Sequence, residues 1–209
     1  MTAIIDYGVG NLFSLRSSFA AIGEEAVVTS DAQVLRSAER ILLPGVGAFG
    51  DAAAKLRQSG LDRILKEQAE QGVPVLGICL GMQLLFDKSF EYGETPGLGI
   101  IPGQIRPISE TVPAGLKIPH MGWNALHFVG EKHPLLRYIR EGEHVYFVHS
   151  FHAVSRSPYV LATAEYGGVL TAAAANGCVM GCQFHPEKSG EVGLRILKAF
   201  CEMKRGALC

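Results

Sequence analysis

Short apolar runs of strand length alternate with stretches of helical periodicity along the first half of the chain. Residues 3–6 read as a buried strand. Leu12, Leu15, Phe19 and Ile22 then recur at helical spacing, and Gly23 closes that helix. Residues 26–29 are strand-like. Ser30-Asp31-Ala32-Gln33 has the form of a capping box, with Gln33 at the third helical position. Residues 40–43 form another strand pattern, running into Pro44-Gly45-Val46-Gly47. Residues 51–71 carry helical periodicity with an interruption near Gly60. A further apolar strand, 73–78, leads to Cys79 and a helix expected over 80–88.

The second half is richer in strands, the clearest being 145–148, 159–164 and 178–184. Between the halves, residues 92–119 are richer in glycine and proline and read as short strands and turns. A last helix over 191–203 is expected to bury Leu194, Leu197 and Phe200. Strands alternating with helices imply a parallel sheet covered on both faces. The fold expected is a three-layer α/β sandwich around a mixed, mostly parallel sheet, with residues 1–209 as one domain. Open α/β sheets bind ligands beyond the carboxyl ends of their strands. Residues 44–47 and the turn at Cys79 are therefore the loops where chemistry is expected.

Composition narrows the class. The chain has 209 residues, 48% of them hydrophobic, enough for a sizeable core. No apolar run approaches the roughly 18 residues of a membrane span. The N-terminus enters a strand pattern without the basic flank and cleavage pattern of a signal peptide. A net charge of −1 offers no footprint for nucleic acid. Five cysteines, an odd number, fit a reducing compartment, and a cytoplasmic location is expected. No metal site is expected. His149 and His152 are three apart and would face opposite sides of a strand. Cys178 and Cys182 would share a strand face with Met180 but lie about 13 Å apart, too far for a disulfide or one zinc ion.

Gly77-Ile78-Cys79-Leu80-Gly81 places a cysteine where a strand turns sharply into a helix, with glycines clearing both flanks. That is the arrangement of a nucleophile elbow. The following helix would aim its positive end at the sulfur and favour thiolate. The Leu80 N–H would face the oxyanion of a tetrahedral intermediate. A buried cysteine at a strand end is the plainer alternative. A thiol nucleophile needs a base, and His185 in "QFHPEKS" is the candidate, with Glu187 two residues on to orient it. A surface loop with a chance His-Pro-Glu is the alternative there.

Cys79 in "GICLGMQLLF" and the later "HPE" together resemble the triad glutamine amidotransferases, over essentially the whole chain. "LLPGVGAF", "IPHMGWN" and the opening "IIDYGVGNLFSL" are similar to one branch, the glutaminase subunits of imidazole glycerol phosphate synthase. The resemblance implies a class I glutamine amidotransferase-like, flavodoxin-like fold. It implies Cys79, His185 and Glu187 as a triad that hydrolyses glutamine through a thioester, without cofactor. Val46, Gly47 and Leu80 would supply the oxyanion hole, with reorientation of the Gly45–Val46 peptide as a switch. Gly47, Gln83, Glu91, Ser150 and Phe151 would hold glutamine. It further implies a heterodimer with a (β/α)8-barrel cyclase that receives the ammonia, in histidine biosynthesis. Asn11, Met121, Trp123, Asn124, Tyr146 and Lys188 are the implied interface residues. A core role for Trp123, and ordinary helix and loop roles for Gln83 and Glu91, are the lesser alternatives.

Three other readings compete. The chain would serve another acceptor branch, cleave peptides or γ-glutamyl bonds on a related fold, or bind without catalysis. The complete set of Cys79, His185 and Glu187 argues against the last.

Overall fold

The computed structural model describes residues 1–206. In chain order the elements are β1 (Thr2–Ile5), α1 (Leu12–Ala21), β2 (Ala26–Thr29), α2 (Ala32–Ser37), β3 (Arg40–Leu43), α3 (Phe49–Gln58), α4 (Leu61–Glu70), β4 (Val75–Ile78) and α5 (Leu80–Leu84). Then follow β5 (Phe86–Ser89), β6 (Thr95–Pro96), β7 (Ile101–Pro107), β8 (His120–Ala125), β9 (His127–Phe128), β10 (His144–His149) and β11 (Phe151–Val154). β12 (Val160–Glu165), β13 (Val169–Asn176), β14 (Val179–Cys182) and α6 (Gly190–Cys201) complete the fold.

The central sheet has eight strands in the order β2-β1-β3-β4-β14-β13-β12-β9. From β2 through β14 neighbours are parallel, and β13, β12 and β9 add antiparallel strands at one side. β1 and β4 are buried along their whole length because both faces are covered. Ala3, Ile5 and Val75 pack with Leu35, Leu56 and Leu65 of α2, α3 and α4. Ile4, Leu42, Leu76 and Ile78 pack with Leu15 and Phe19 of α1 and Leu197 and Phe200 of α6. These two cores make the three expected layers. A four-stranded sheet, β11-β7-β5-β6, and a ribbon of β10 with β8 stand apart from the central sheet.

Several local expectations need correction. The helix after Cys79 ends at Leu84 rather than 88. The carbonyls of Leu84, Leu85 and Phe86 accept hydrogen bonds from the N–H groups of residues 98–101, so they are not available to continue a helix. The first residue outside α2 is Asp31, not Ser30; its carboxylate accepts from the N–H groups of Gln33 and Val34 at 2.6 and 3.2 Å. An ionised acceptor suits the positive end of a helix. Leu194 is only half-buried, while Leu197 and Phe200 are fully buried. Cys182 and Met180 share one core, but Cys178 belongs to the opposite one, because it precedes the strand. The longest strand, β13, has no counterpart in the strand pattern read above. Its Ala172–Ala175 run carries helical propensity, overridden here by pairing with β12 and β14 in a doubly covered sheet.

The break near Gly60 separates α3 from α4, and Gly60 adopts φ 72°. Gly81 has a harder constraint: a Cβ there would lie 1.9 Å from the Leu43 carbonyl oxygen. Gly81→Ala is expected to cost about 3 kcal/mol or more of unfolding free energy, because backbone must move. Gly50→Ala, whose Cβ meets nothing nearer than Thr95 Oγ1 at 3.8 Å, should stabilise α3 by about 0.5–1 kcal/mol. Urea denaturation of the two variants beside the unmodified chain checks both signs.

Candidate active site

Cys79 stands between the end of β4 and the start of α5 with φ 54° and ψ −112°, a conformation L-residues seldom adopt. Its N–H donates to the Cys182 carbonyl at 2.8 Å, and its carbonyl accepts from the Gln83 N–H at 3.1 Å. The flanking glycines have distinct jobs. A Cβ on Gly77 would meet the Gly81 backbone at 2.7 Å, and one on Gly81 would collide with Leu43. Gly45 is equally confined, with a Cβ position 2.6 Å from Gly81 N. The elbow and the 44–47 segment therefore touch where backbone meets backbone, with the Leu80 Cβ beside them.

His185 follows β14, next to β4, and its N–H donates to the Tyr146 carbonyl at 2.9 Å. Its Nδ1 lies 2.8 Å from Glu187 Oε1, with both side chains almost wholly buried. The pairing arises differently from the extended arrangement expected. Residues Pro186–Lys188 form a tight 3₁₀ turn that folds Glu187 back onto the ring. Burial by itself would lower the His185 pKa. Hydrogen bonds and charge from Cys79 and Glu187 outweigh it and raise the pKa to about 9. With Nδ1 engaged by Glu187, the other ring nitrogen is left for Cys79.

Cys79 and His185 open onto a cleft of about 350 Å³. The predicted residues Val46, Gly47, Leu80, Gln83, Glu91, Ser150 and Phe151 line it, and so does Lys188. Gly47 has φ 94°, which favours glycine. Upstream, the buried Tyr7 hydroxyl donates to the Pro44 carbonyl at 2.7 Å and anchors the start of this segment. Glu91 also holds the N-terminus of α3, since its Oε2 accepts from the Phe49 N–H at 2.6 Å. One carboxylate oxygen is thereby occupied.

A buried polar chain borders the cleft. The Phe151 carbonyl accepts from Gln83 Nε2 at 3.1 Å and pairs with His149 Nδ1 at 2.8 Å. A carbonyl only accepts, so His149 carries its proton on Nδ1 and presents a lone pair on Nε2. That nitrogen lies 2.9 Å from His120 Nδ1, which must be the donor. His120 Nε2 then accepts from Asn124 Nδ2 at 3.2 Å. Burial lowers the pKa of His120 and takes that of His149 down to about 3, so both rings are neutral. His152 lies apart, 2.8 Å from Thr111 Oγ1. Among the described residues no cluster of three or more His, Cys, Asp or Glu side chains is arranged to hold a metal ion.

Of the implied interface residues, Met121 and Trp123 are more than half exposed. Trp123 therefore is not a core residue. Its ring meets Tyr146 edge-on at 6.2 Å, and Lys188 Nζ lies 5.8 Å from the centre of that tyrosine ring. Asn11 is exposed and caps α1 through Ser14 N–H. Asn124 turns inward to His120 and to the Glu165 carbonyl. Residues not singled out from sequence are Tyr7, His120 and Gln183, and His149 was weighed only as a metal ligand beside His152. For Gln183 a signal existed: it stands two residues before His185, on the same side of an extended segment.

The family model described as "Glutamine amidotransferase class-I" matches residues 3–203. The imidazole glycerol phosphate synthase subunit HisH of Wolinella succinogenes is 48% identical over 205 residues, covering 97% of this chain and 100% of the relative. The protein of the same name from Lactococcus lactis is 44% identical, covering 95% and 96%. Among solved structures, PurLQS from Thermotoga maritima superposes with a TM-score of 0.74 at 21% identity, covering 96% of each chain. A crystal structure of a glutamine amidotransferase gives 0.73 at 19%, covering 96% and 97%. At that identity the structural likeness supports the fold. With nearly its whole length matched by the family model and by relatives of close to half identity, the chain belongs to the class-I glutamine amidotransferases, in the group of the imidazole glycerol phosphate synthase subunits HisH.

Proposed function

We propose that residues 1–209 act as a single glutaminase domain in which Cys79, His185 and Glu187 are the catalytic triad. The observation that carries this reading is a strained cysteine at a strand–helix turn, beside a histidine bonded at 2.8 Å to a buried carboxylate, in a cleft of about 350 Å³. The Cys79 thiolate attacks the side-chain carboxamide carbon of glutamine. His185 gives its proton to the leaving nitrogen, and ammonia departs from a γ-glutamyl thioester. His185 then takes a proton from water, which attacks the thioester and releases glutamate and the thiol. Backbone N–H groups of Leu80 and of the Val46–Gly47 segment stabilise the oxyanion. Gly47, Gln83, Glu91, Ser150 and Phe151 hold the substrate.

The relatives are named as subunits of imidazole glycerol phosphate synthase, and we extend that membership to this chain. Its partner is a (β/α)8-barrel cyclase in a cytoplasmic heterodimer of the histidine pathway. Ammonia at neutral pH in water is mostly ammonium, which is not a nucleophile, so an enclosed path between subunits is needed. Met121, Trp123, Asn124, Tyr146, Lys188 and Asn11 form the docking face. The exposed Trp123 beside Tyr146 and Lys188 suits an interface anchor. No helix among the described residues is long and apolar enough to cross a membrane.

Glutamate release from glutamine, measured with the chain alone and then with the barrel cyclase and its nucleotide, tests this reading. Activity should be low alone and rise by about 10²–10³-fold if the 44–47 segment supplies its oxyanion donor only in the complex. Cys79→Ala should lose at least about 10³-fold. Activity indifferent to the cyclase would point to another acceptor, and no glutamate in either condition would refute the glutaminase.

His185, between Cys79 and Glu187, also has a pH signature. The folded-state pKa of about 9 lies above the ordinary 6.5. Its contribution to stability is complete below pH 6.5 and is lost as pH rises through 9. Unfolding free energy should thus fall by about 3 kcal/mol across that window. Glu187→Gln should remove only the part of that fall that Cys79 does not supply, and should lower kcat more than it changes KM.

A further inference from the structure

Gln183 is wholly buried between the two halves of the site. Its Nε2 lies 3.6 Å from Cys79 Sγ, within reach for a sulfur acceptor, and its Oε1 lies 2.9 Å from Gln83 Nε2. The orientation of both amides follows from one backbone group. The Phe151 carbonyl only accepts, so the Gln83 atom 3.1 Å away must be nitrogen. The second proton of that nitrogen goes to Gln183, whose facing atom must then be oxygen. The remaining end of Gln183, directed at the sulfur, is therefore the donor nitrogen.

Other groups around the sulfur are differently occupied. Tyr7 spends its hydroxyl proton on the Pro44 carbonyl. The Cys182 thiol points to the Gly77 carbonyl at 3.9 Å, and burial raises its pKa. Glu187 stands behind His185, while Glu91 and Lys188 line the cleft. Among the described residues His185 is a partner of Cys79 that can carry positive charge, and Gln183 is a neutral donor to it.

We propose that Gln183 is a further catalytic residue: its amide N–H holds the Cys79 sulfur as thiolate, while its carbonyl locks Gln83 with Oε1 left for the substrate. Hydrogen bonds to an ionised acceptor are roughly twice as strong as neutral ones, so this donor favours thiolate over thiol. Gln83 spends its amide nitrogen on two acceptors, so it offers the substrate an acceptor, suited to an N–H of the carboxamide or ammonium group. The assignment rests on Cys79 as the nucleophile proposed above.

The test is the pH dependence of iodoacetamide alkylation at Cys79, followed by peptide mass spectrometry on the full chain without glutamine. Gln183→Met removes the donor. Gln183→Glu keeps the shape and the acceptor for Gln83 but replaces the donor with a carboxylate. Both should move the alkylation midpoint upward by about one pH unit, which is about ten-fold slower labelling below the midpoint, with the high-pH plateau changed less than about two-fold. Midpoints within about 0.2 unit of the unmodified protein in both variants would overturn the proposal. A variant that fails to fold leaves a second measurement on the unmodified chain. The Gln183 side-chain amide proton resonance should titrate with the alkylation midpoint and shift when Cys79 is blocked, and an unresponsive resonance overturns the proposal. Failure of the unmodified chain to release glutamate would refute the glutaminase reading and leave this profile intact.

Discussion

The backbone-to-backbone contact between Gly81 and Leu43 is the constraint on which the site depends. With no Cβ at 81, the first turn of α5 settles directly against the end of β3. Gly45 and Gly77 complete the same contact from the other two sides. The nucleophile turn and the 44–47 segment are therefore one packed unit, although more than thirty residues of chain separate them. This packing also holds Cys79 at φ 54°, a conformation that costs about 1–3 kcal/mol. Hydrogen bonds from Cys79 N–H to β14 and from the Gln83 N–H to the Cys79 carbonyl, with the burial of all of α5, offset that strain.

β14 is the second support. It lies beside β4 in register, Cys182 opposite Ile78, so both strands end at the same height. Gln183 and His185 leave β14 where Cys79 leaves β4. The Pro186–Lys188 turn returns Glu187 to the imidazole, and α6 presses on that turn through Gly193, where a Cβ would lie 1.8 Å from the Pro186 carbonyl oxygen. Sheet register thus sets the distance between thiol and base, and a helix–turn contact sets the distance between base and carboxylate.

Much of this was legible in the sequence because it is local. The glycines around Cys79, the apolar run before it and the spacing of His185 and Glu187 are short-range signals with a direct physical meaning. The alternation of strands and helices was enough for the three layers. What was not legible depends on remote partners. Ala172–Ala175 becomes a strand only because β12 and β14 flank it. The helix after Cys79 stops at Leu84 only because residues 98–101 take its carbonyls. His120 gains its place in the site from His149 on the paired strand β10, and neither spacing nor composition carries that information.

The three histidines near the cleft show how partners divide one residue type into two roles. All three are buried. His185 faces Glu187 and the cysteine, and its pKa rises to about 9. Burial dominates at His149 and His120, with the charges of His120, His152 and His185 adding to it at His149, and their pKa values fall. Near neutral pH the site therefore holds a single imidazolium, placed where a proton must move. The neutral pair instead transmits direction. Because the Phe151 carbonyl can only accept, every donor and acceptor from Asn124 through His120 and His149, and from Gln83 through Gln183 to the sulfur, has one permitted orientation. In a low-dielectric interior an unpaired member of such a network is costly. The strand that carries the exposed Trp123 and the sulfur of Cys79 are thus tied to one carbonyl, and a displacement at either end must be met by rearranging the same short chain of hydrogen bonds.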